Sequence, residues 1–527
     1  MKRLLSVACC VLLALGIGSL AFASGVLRMT EAWPTYIDPA IGSDLSSSLA
    51  FVNLYDSLVY PDSTGTPQPH LASSWEVSDD ALTWTFHLRD DVVFHDGTPL
   101  TAEDVVFSLE RLQLIGQGYA YLFASVAGAE AIDDHTVRFS FEQPSGVFLA
   151  SLFRLYVVNK DLVLANLESN GPYGEMGDYG TGYLLLHDAG SGPYQVKDFR
   201  LEEELIMERN AGYWIPFDSD CPDEFHLIGT TEPTTVRTMI SRGELEIADF
   251  RQPQENIASM EQLDGIDVAE YFTGYSLYGM MHTQKAPTDD AHFRRAMALA
   301  VDYATMIDMI FPGSRTLTSP VPSSVPGSAV VADYSQNMDQ ARQELALSKY
   351  ADCLDDYPVE IHWCAEVPDE EKVALLFMAN MAELGITVNV VKVPWMSMID
   401  EMASIETSPN VITVYTEPHY AEAGSVLESR YHSNSAATWE QNEWLLDPEL
   451  DEAIESALAT VDRSDRFSQY EEIQTYLADL CPSLCFFEQV KRQAYQASYV
   501  NWPAANGDVV PVMGYNFAAR FIQVFDH

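Results

Sequence analysis

Basic residues are the scarce commodity of this chain. Lysine and arginine number 28 against 78 aspartates and glutamates, a formal charge of −50. A chain so poor in positive charge is repelled by phosphate backbones and anionic lipid surfaces, so no nucleic-acid partner and no direct membrane partner is expected. Several catalytic signatures are missing as well. There is no GxxxxGK phosphate loop, no HExxH, no GxSxG elbow and no paired CxxC, which removes the motif-level case for a nucleotide hydrolase, a zinc peptidase or a serine hydrolase. The 12 histidines are scattered, none at the i,i+4 spacing that places two ligands on one helix face, so no preformed metal site and no cofactor are expected. Acid pairs occur everywhere and therefore say nothing about a general acid and base. Internal repeats and low-complexity segments are absent too.

Cysteine is rare. Two of the seven, Cys9 and Cys10, fall in the N-terminal apolar run, which leaves Cys221, Cys353, Cys364, Cys481 and Cys485. That odd number leaves at least one thiol unpaired or intermolecular, and bridging of Cys481 to Cys485 or of Cys353 to Cys364 is a question of geometry. The apolar run, Leu4 to Leu20, follows Lys2 and Arg3 and precedes Ala21-Phe22-Ala23. It is too short and wrongly flanked for a stable span, and reads as a secretion signal over residues 1–23 cleaved before Ser24. Lipidation at Cys9 or Cys10 is the lesser reading, because Ser6 stands where a bulky leucine is expected. Removing Lys2 and Arg3 takes the charge to −50 − 2 = −52. The acids are spread along the whole chain, which fits a solvated surface suited to saline surroundings better than a cation-attracting cleft.

What is present is a globular chain, 47% hydrophobic, whose 527 residues are too many for one core and call for two lobes or more. Its clearest stretch is LASSWEVSDDALTWTFHLRDDVVFHDGTPLTAEDVVFSLERL, from Leu71 to Leu112. Leu82, Trp84, Phe86 and Leu88 alternate with Thr83, Thr85 and His87, the pattern of a strand with one buried face. Asp79-Asp80 and Asp96-Gly97 supply turns. Thr101, with Asp104 three residues on, caps a helix that carries Val105, Val106, Leu109 and Leu112 on one side.

That stretch resembles, almost letter by letter, the signature of the family 5 extracellular solute-binding proteins, the peptide- and nickel-binding receptors of ABC importers. Asp38-Pro39, Gly190-Ser191-Gly192-Pro193-Tyr194, the run Leu205 to Trp214 and the helix His292 to Asp302 continue the resemblance in order. It implies an α/β, two-lobe periplasmic-binding-protein fold of class II type, with an extra subdomain nested at about 71–190. The first lobe would comprise 24–278 and 488–527 and the second 279–487, with hinges near Gly279 and Glu488.

Within the second lobe, Val359–Trp363, Glu371–Leu384 and Ile386–Val393 read as strand, helix and strand, with Gly385 at the helix end; a helix at Met396–Ala403 and a strand at Val411–Tyr415 repeat the unit. Parallel crossovers of this kind are right-handed, and open parallel sheets take ligands beyond the carboxyl ends of their strands. Those ends carry Glu366, Trp395, Tyr415, Glu417 and His419, which are therefore candidate ligand residues. Trp33 and Tyr36 join them because in the family the loop after the first strand faces the cleft. Ser191 and Gly192 join them as a tight turn whose backbone can approach a ligand.

The expected function is capture of a peptide-like solute outside the cytoplasm by a monomer that delivers it to an ABC permease, without turnover. In peptide-binding members an acid in a DYPDP stretch pairs with the peptide's amino group. Tyr415-Thr416-Glu417-Pro418 keeps one acid and the proline with altered spacing, so Glu417 is the candidate partner. Stacking on Trp33, Trp395 or Tyr415 would suit an oligosaccharide instead. A secreted hydrolase is the reading from another class, and no nucleophile with a partner base can be named for it.

Overall fold

The structure is a computed structural model that describes residues 25–31, 36–201 and 203–526. The expected signal segment, 1–23, and Trp33 lie outside the described residues.

Two sheets organise the molecule. In the first lobe, Val26–Glu31 pairs in parallel with Glu224–Gly229, which continues antiparallel to Glu204–Arg209 and then Tyr194–Arg200. On its other side the Val26–Glu31 strand is bridged at Met29 to Ile247, and Ile247 bridges to Tyr495 of the antiparallel pair Asp267–Tyr271 and Lys491–Tyr495. The second sheet runs in the order Val388–Val393, Val359–Cys364, Val411–Thr416, Ser276–Met281, Ser483–Glu488. Its first three strands are parallel, as the strand-helix-strand pattern predicts. The strand 276–281 is antiparallel to both its neighbours, so the sheet is mixed. The chain enters this lobe along 276–281 and leaves along 483–488; two adjacent strands that do this must point in opposite directions.

The passages between the sheets fall at residues 272–275 and 489–490. Gly279 is not at a passage. It sits inside its strand, paired to Thr413 and Leu484, and a Cβ there would come within 3.0 Å of Leu484 and Phe486. Glu488 ends the returning strand, fully buried, accepting from Arg315 Nε at 2.8 Å and from the Ser323 hydroxyl at 3.0 Å.

The signature stretch forms an antiparallel sheet of Ala72–Val77, Thr83–Leu88, Thr136–Phe141 and Val126–Asp133. Trp84, Phe86 and Leu88 point into its core, where Phe86, Phe139 and Phe148 meet edge to face. Asp104 accepts from both the amide and the hydroxyl of Thr101, starting the helix Ala102–Ile115 as its sequence demands. Arg111 of that helix, 1% exposed, makes a bidentate bond to Asp38 at 2.7 and 2.6 Å, which anchors the Asp38-Pro39 turn to the signature. Arg154, Arg294, Arg430, Arg466 and Lys491 are buried as well. Six of the 28 scarce bases are thus used inside. The five cysteines are all free thiols, four of them buried.

Candidate functional site

The lobes meet along two adjoining regions. Beside the passages lies a cavity of about 40 Å³ walled by Phe250 to Gln254 of the first lobe, by Val367, Pro368, Asp369 and Tyr415 of the second, and by Tyr275 and Gln489 of the passages themselves. The rings of Tyr275 and Tyr415 stack in parallel, 4.4 Å between centroids, and the buried Tyr415 hydroxyl has no hydrogen-bond partner. Arg251 pairs with Glu31 at the end of the first strand and stands 5.0 Å from the Phe250 ring centre. Asp249 accepts from Gln252 Nε2 at 2.7 Å and from the Arg251 amide at 3.0 Å. Burial, and then the charge of Glu31, push its carboxyl up to about 7.

Next to this cavity Lys491 donates to both oxygens of Glu417, at 2.8 and 2.9 Å, with the two side chains 3% and 5% exposed. The ammonium also lies 4.8 Å from the Phe250 ring centre and 5.2 Å from that of Tyr275. Glu417 is therefore already neutralised by the protein itself and does not present a free carboxylate to an incoming amine.

In the second region the lobes touch through the segment after Glu417. Arg154 of the first lobe donates from Nε to the His419 carbonyl at 2.9 Å, and Gly146 N–H donates to the Leu458 carbonyl at 2.8 Å. His419 Nε2 lies 3.2 and 3.1 Å from the two oxygens of Glu440, and its ring faces the edges of Tyr119 and Tyr121 at 5.7 and 6.0 Å. Tyr420 and Ala421 are packed into the first lobe's core, so the two halves are in contact.

Of the residues expected from sequence, Tyr415 is placed in the cavity wall and His419 between the lobes. Tyr36 is exposed, with its amide on Ser47 Oγ at 3.3 Å. Glu366 is exposed but one oxygen accepts the Trp395 amide at 2.9 Å, so it caps the helix Trp395–Met402. Trp395 packs edge-on against Trp439 at 5.8 Å, half-buried. Ser191 and Gly192 are structural. The Ser191 hydroxyl donates to Asp56 at 2.9 Å, an oxygen cluster that also receives Tyr213 at 2.9 Å and faces His70 Nε2 at 2.8 Å. Gly192 N–H donates to the Leu54 carbonyl at 3.0 Å, and a Cβ at this glycine would stand 2.5 Å from the Leu54 carbonyl carbon. That bond closes the helix Leu45–Leu54, four residues short of the Leu58 expected from the apolar pattern.

Arg251, Asp249, Tyr275, Glu440 and Lys491 were not visible as site residues. The scarcity of bases in so acidic a chain is the one sequence signal that draws attention to Arg251 and Lys491.

The profile described as "Bacterial extracellular solute-binding proteins, family 5 Middle" matches residues 66–437. The chain belongs to this family. Among curated relatives it is similar to the probable D,D-dipeptide-binding periplasmic protein DdpA of Escherichia coli K12, 28% identical over 467 residues and 86% of this chain and 87% of that one. It is also similar to the dipeptide-binding protein of the same organism, 25% identical over 92% of this chain and 93% of that one. Among solved structures it resembles the periplasmic binding protein DppA of Helicobacter pylori in complex with the peptide STSA, with a TM-score of 0.81, 21% identity, and coverage of 95% and 98%. It also resembles NikZ of Campylobacter jejuni in complex with Ni(L-His), with a TM-score of 0.79, 16% identity, and coverage of 94% and 99%. At these identities the structures establish the fold alone. Family 5 membership accounts for the two-lobe fold. No helix among the described residues is long and apolar enough to cross a membrane.

Proposed function

We propose that this family 5 protein captures a peptide-like solute outside the cytoplasm, between its two lobes, and delivers it to the permease of an ABC importer as a monomer. The observation that carries the reading is the family match over 66–437 combined with dipeptide-binding relatives that align along nearly their whole length.

The mechanism is closure. Each passage between the lobes is a few residues of chain, 272–275 and 489–490, beside strands that are paired along their length. Rotation is therefore concentrated at these two points, and the lobes move as bodies. A ligand that touches Arg251 on one side and Tyr415 on the other makes both sets of contacts only when the lobes are shut, so its binding shifts the population toward the closed form. Holding rather than transforming the solute is the task. Among the described residues that wall the cavity, no general acid, base and nucleophile stand together.

Solution scattering and calorimetry test this together. Titration with a mixed di- to tetrapeptide pool is expected to release heat and to reduce the radius of gyration. A scattering curve unchanged by the pool, with binding heat given instead by β-linked oligosaccharides, would replace the peptide reading.

A further inference from the structure

One segment of the second lobe, residues 311–325, reaches over both passages between the lobes. It is anchored at Glu488, the last residue of the strand Ser483–Glu488 at the edge of the second sheet. Arg315 N–H donates to the Glu488 carbonyl at 3.0 Å and Glu488 N–H donates to the Arg315 carbonyl at 2.9 Å, so the segment adds one antiparallel rung to that edge. The fully buried Glu488 carboxylate then accepts from Arg315 Nε at 2.8 Å, from the Ser323 hydroxyl at 3.0 Å and from the Ser324 hydroxyl. A buried carboxylate must be satisfied, and here both ends of the segment satisfy it. The segment therefore moves with the second lobe.

From that anchor it touches the far side of each passage. Phe272 directly follows Tyr271 and Val490 directly precedes Lys491, and Tyr271 and Lys491 are paired in the first lobe. Phe272 and Val490 are thus held to the first lobe. The Arg315 guanidinium carbon stands 3.9 Å from the Phe272 ring centre, and Val490 N–H donates to Ser314 Oγ at 3.3 Å. Gly313, at φ +91, permits the approach, since a Cβ there would come within 3.2 Å of Val490 Cγ1. Both contacts span a pivot. A contact that spans a pivot cannot keep its geometry while the pivot turns, so it favours one position of the lobes over the other. The position recorded here is the shut one, with Tyr420 and Ala421 seated in the core of the first lobe.

We propose that this segment is a latch on the hinge, in which Ser314 and Arg315 are positioning residues that hold the lobes shut by gripping Val490 and Phe272. The proposal rests on the closure described above and adds what sets its balance. The described cavity wall includes neither Ser314 nor Arg315, so the latch acts without touching the solute. A solute leaves only through the open form, and the latch therefore slows its release. The Arg315 side chain is 41% exposed, and a cation over a ring at such a site shifts an equilibrium about two- to fivefold.

The test needs no ligand. Hydrogen exchange of the ligand-free chain prepared from Ser24 onward is followed by mass spectrometry in peptic fragments spanning Gly146, whose N–H donates to the Leu458 carbonyl across the lobes at 2.8 Å and so exchanges when the lobes part. Fragments spanning Val411–Thr416, inside the second sheet, serve as the internal control. Phe272→Leu, which leaves Arg315 on Glu488, should speed exchange at Gly146 about two- to fivefold. Ser314→Ala should speed it about twofold or more. Arg315→Gln, which keeps a donor for Glu488 but loses the cation, should match Phe272→Leu and add nothing to it in the double variant, because the two changes remove one contact. Arg315→Lys keeps a cation over the ring and should lie nearer the wild type. The control fragments should exchange at the wild-type rate throughout. An unchanged rate at Gly146 in Phe272→Leu or Ser314→Ala overturns the latch, and so does an equal acceleration of the control fragments, which would mark general loss of stability. Should Phe272→Leu fail to fold, Arg315→Gln against Arg315→Lys decides by the same readout. A wild-type Gly146 as protected as the control sheet would show that the lobes do not part and would overturn latch and closure together, whereas a failed peptide titration alone leaves the latch standing.

Discussion

Replacing Glu417 by glutamine separates two accounts of the same residue. From sequence, this acid would meet a ligand's amine, and its loss would weaken binding by an order of magnitude or more. In the structure its oxygens are 2.8 and 2.9 Å from Lys491 Nζ, with both side chains at least 95% buried. Removing one member of a buried pair strands the other charge in the interior, at a cost of roughly 3–5 kcal/mol. At ~1.4 kcal/mol per tenfold, that is roughly two to three and a half orders of magnitude in the folding equilibrium. The rings of Phe250 and Tyr275 near the ammonium offset part of this, since cation–π contacts of desolvated charges reach about 2 kcal/mol. A net loss of about 2–4 kcal/mol is therefore expected. The assay is urea denaturation followed by tryptophan fluorescence, on Glu417→Gln, Lys491→Met and the double variant. Both single variants should show lower midpoints. The double variant should recover at least half of the sum, because it leaves no charge uncompensated. Peptide affinity measured on folded Glu417→Gln should stay within about twofold of wild type. A Glu417→Gln protein with an unchanged midpoint and a peptide affinity lowered tenfold would refute the pairing argument and return this acid to the ligand.

Three other expectations are open to direct measurement. Glu370, 1% exposed, accepts the Cys364 amide and the Thr413 hydroxyl at 2.8 Å each, yet burial pushes its carboxyl up to about 8. The folded chain thus keeps a proton that the unfolded chain gives up near pH 4.5, and stability drains away as pH rises through that window to about 8, at up to ~1.4 kcal/mol per unit. Glu370→Gln should flatten the denaturation free energy over that window, and an unchanged slope would show that another group titrates there. The excess of 78 acids over 28 bases should make the protein more stable in salt, since the screening length drops from about 10 Å at 0.1 M to about 3 Å at 1 M; a melting temperature independent of sodium chloride would mean that the surface charges do not repel appreciably. Lastly, thiol counting with a chromogenic disulfide on the chain prepared from Ser24 onward should find five reactive cysteines after denaturation, whereas in the native protein burial holds Cys481 and Cys485 at about 11 and about 12 and they should react slowly. Fewer than five would reveal a disulfide.

How far the sequence carries can be judged residue by residue. Leu82 to Leu88 and Thr101 with Asp104 announced their strand and helix because both signals are local: alternation over a few positions, and a cap bonded to a carboxylate three residues away. The strands around Val359 and Val388 were legible for the same reason, and Gly385 takes φ +78 at the helix end where it was expected. The site was less legible because its chemistry is assembled at long range. Nothing near Glu417 signals Lys491, 74 residues away, and nothing near Ser191 signals Asp56, 135 residues away. The glycine-rich turn was recognised correctly as a close approach of backbone, but what approaches is the end of the Leu45–Leu54 helix. Gly279 looked like a flexible point, whereas its lack of a side chain makes room for Leu484 and Phe486 across the sheet.

The interleaving of the first lobe has a consequence for how the protein is made. Its sheet needs Val26–Glu31 and Asp267–Tyr271 from one part of the chain and Lys491–Tyr495 from another, while the second lobe's sheet is complete once Ser483–Glu488 has been added. During synthesis or passage through a secretion channel, the inserted lobe can therefore mature first, and the lobe that began earlier must wait, with the Asp267–Tyr271 edge open, until the final stretch emerges. The first lobe cannot be expressed as one uninterrupted segment, and a truncation shortly before Lys491 should leave one finished body attached to an unfinished, aggregation-prone one.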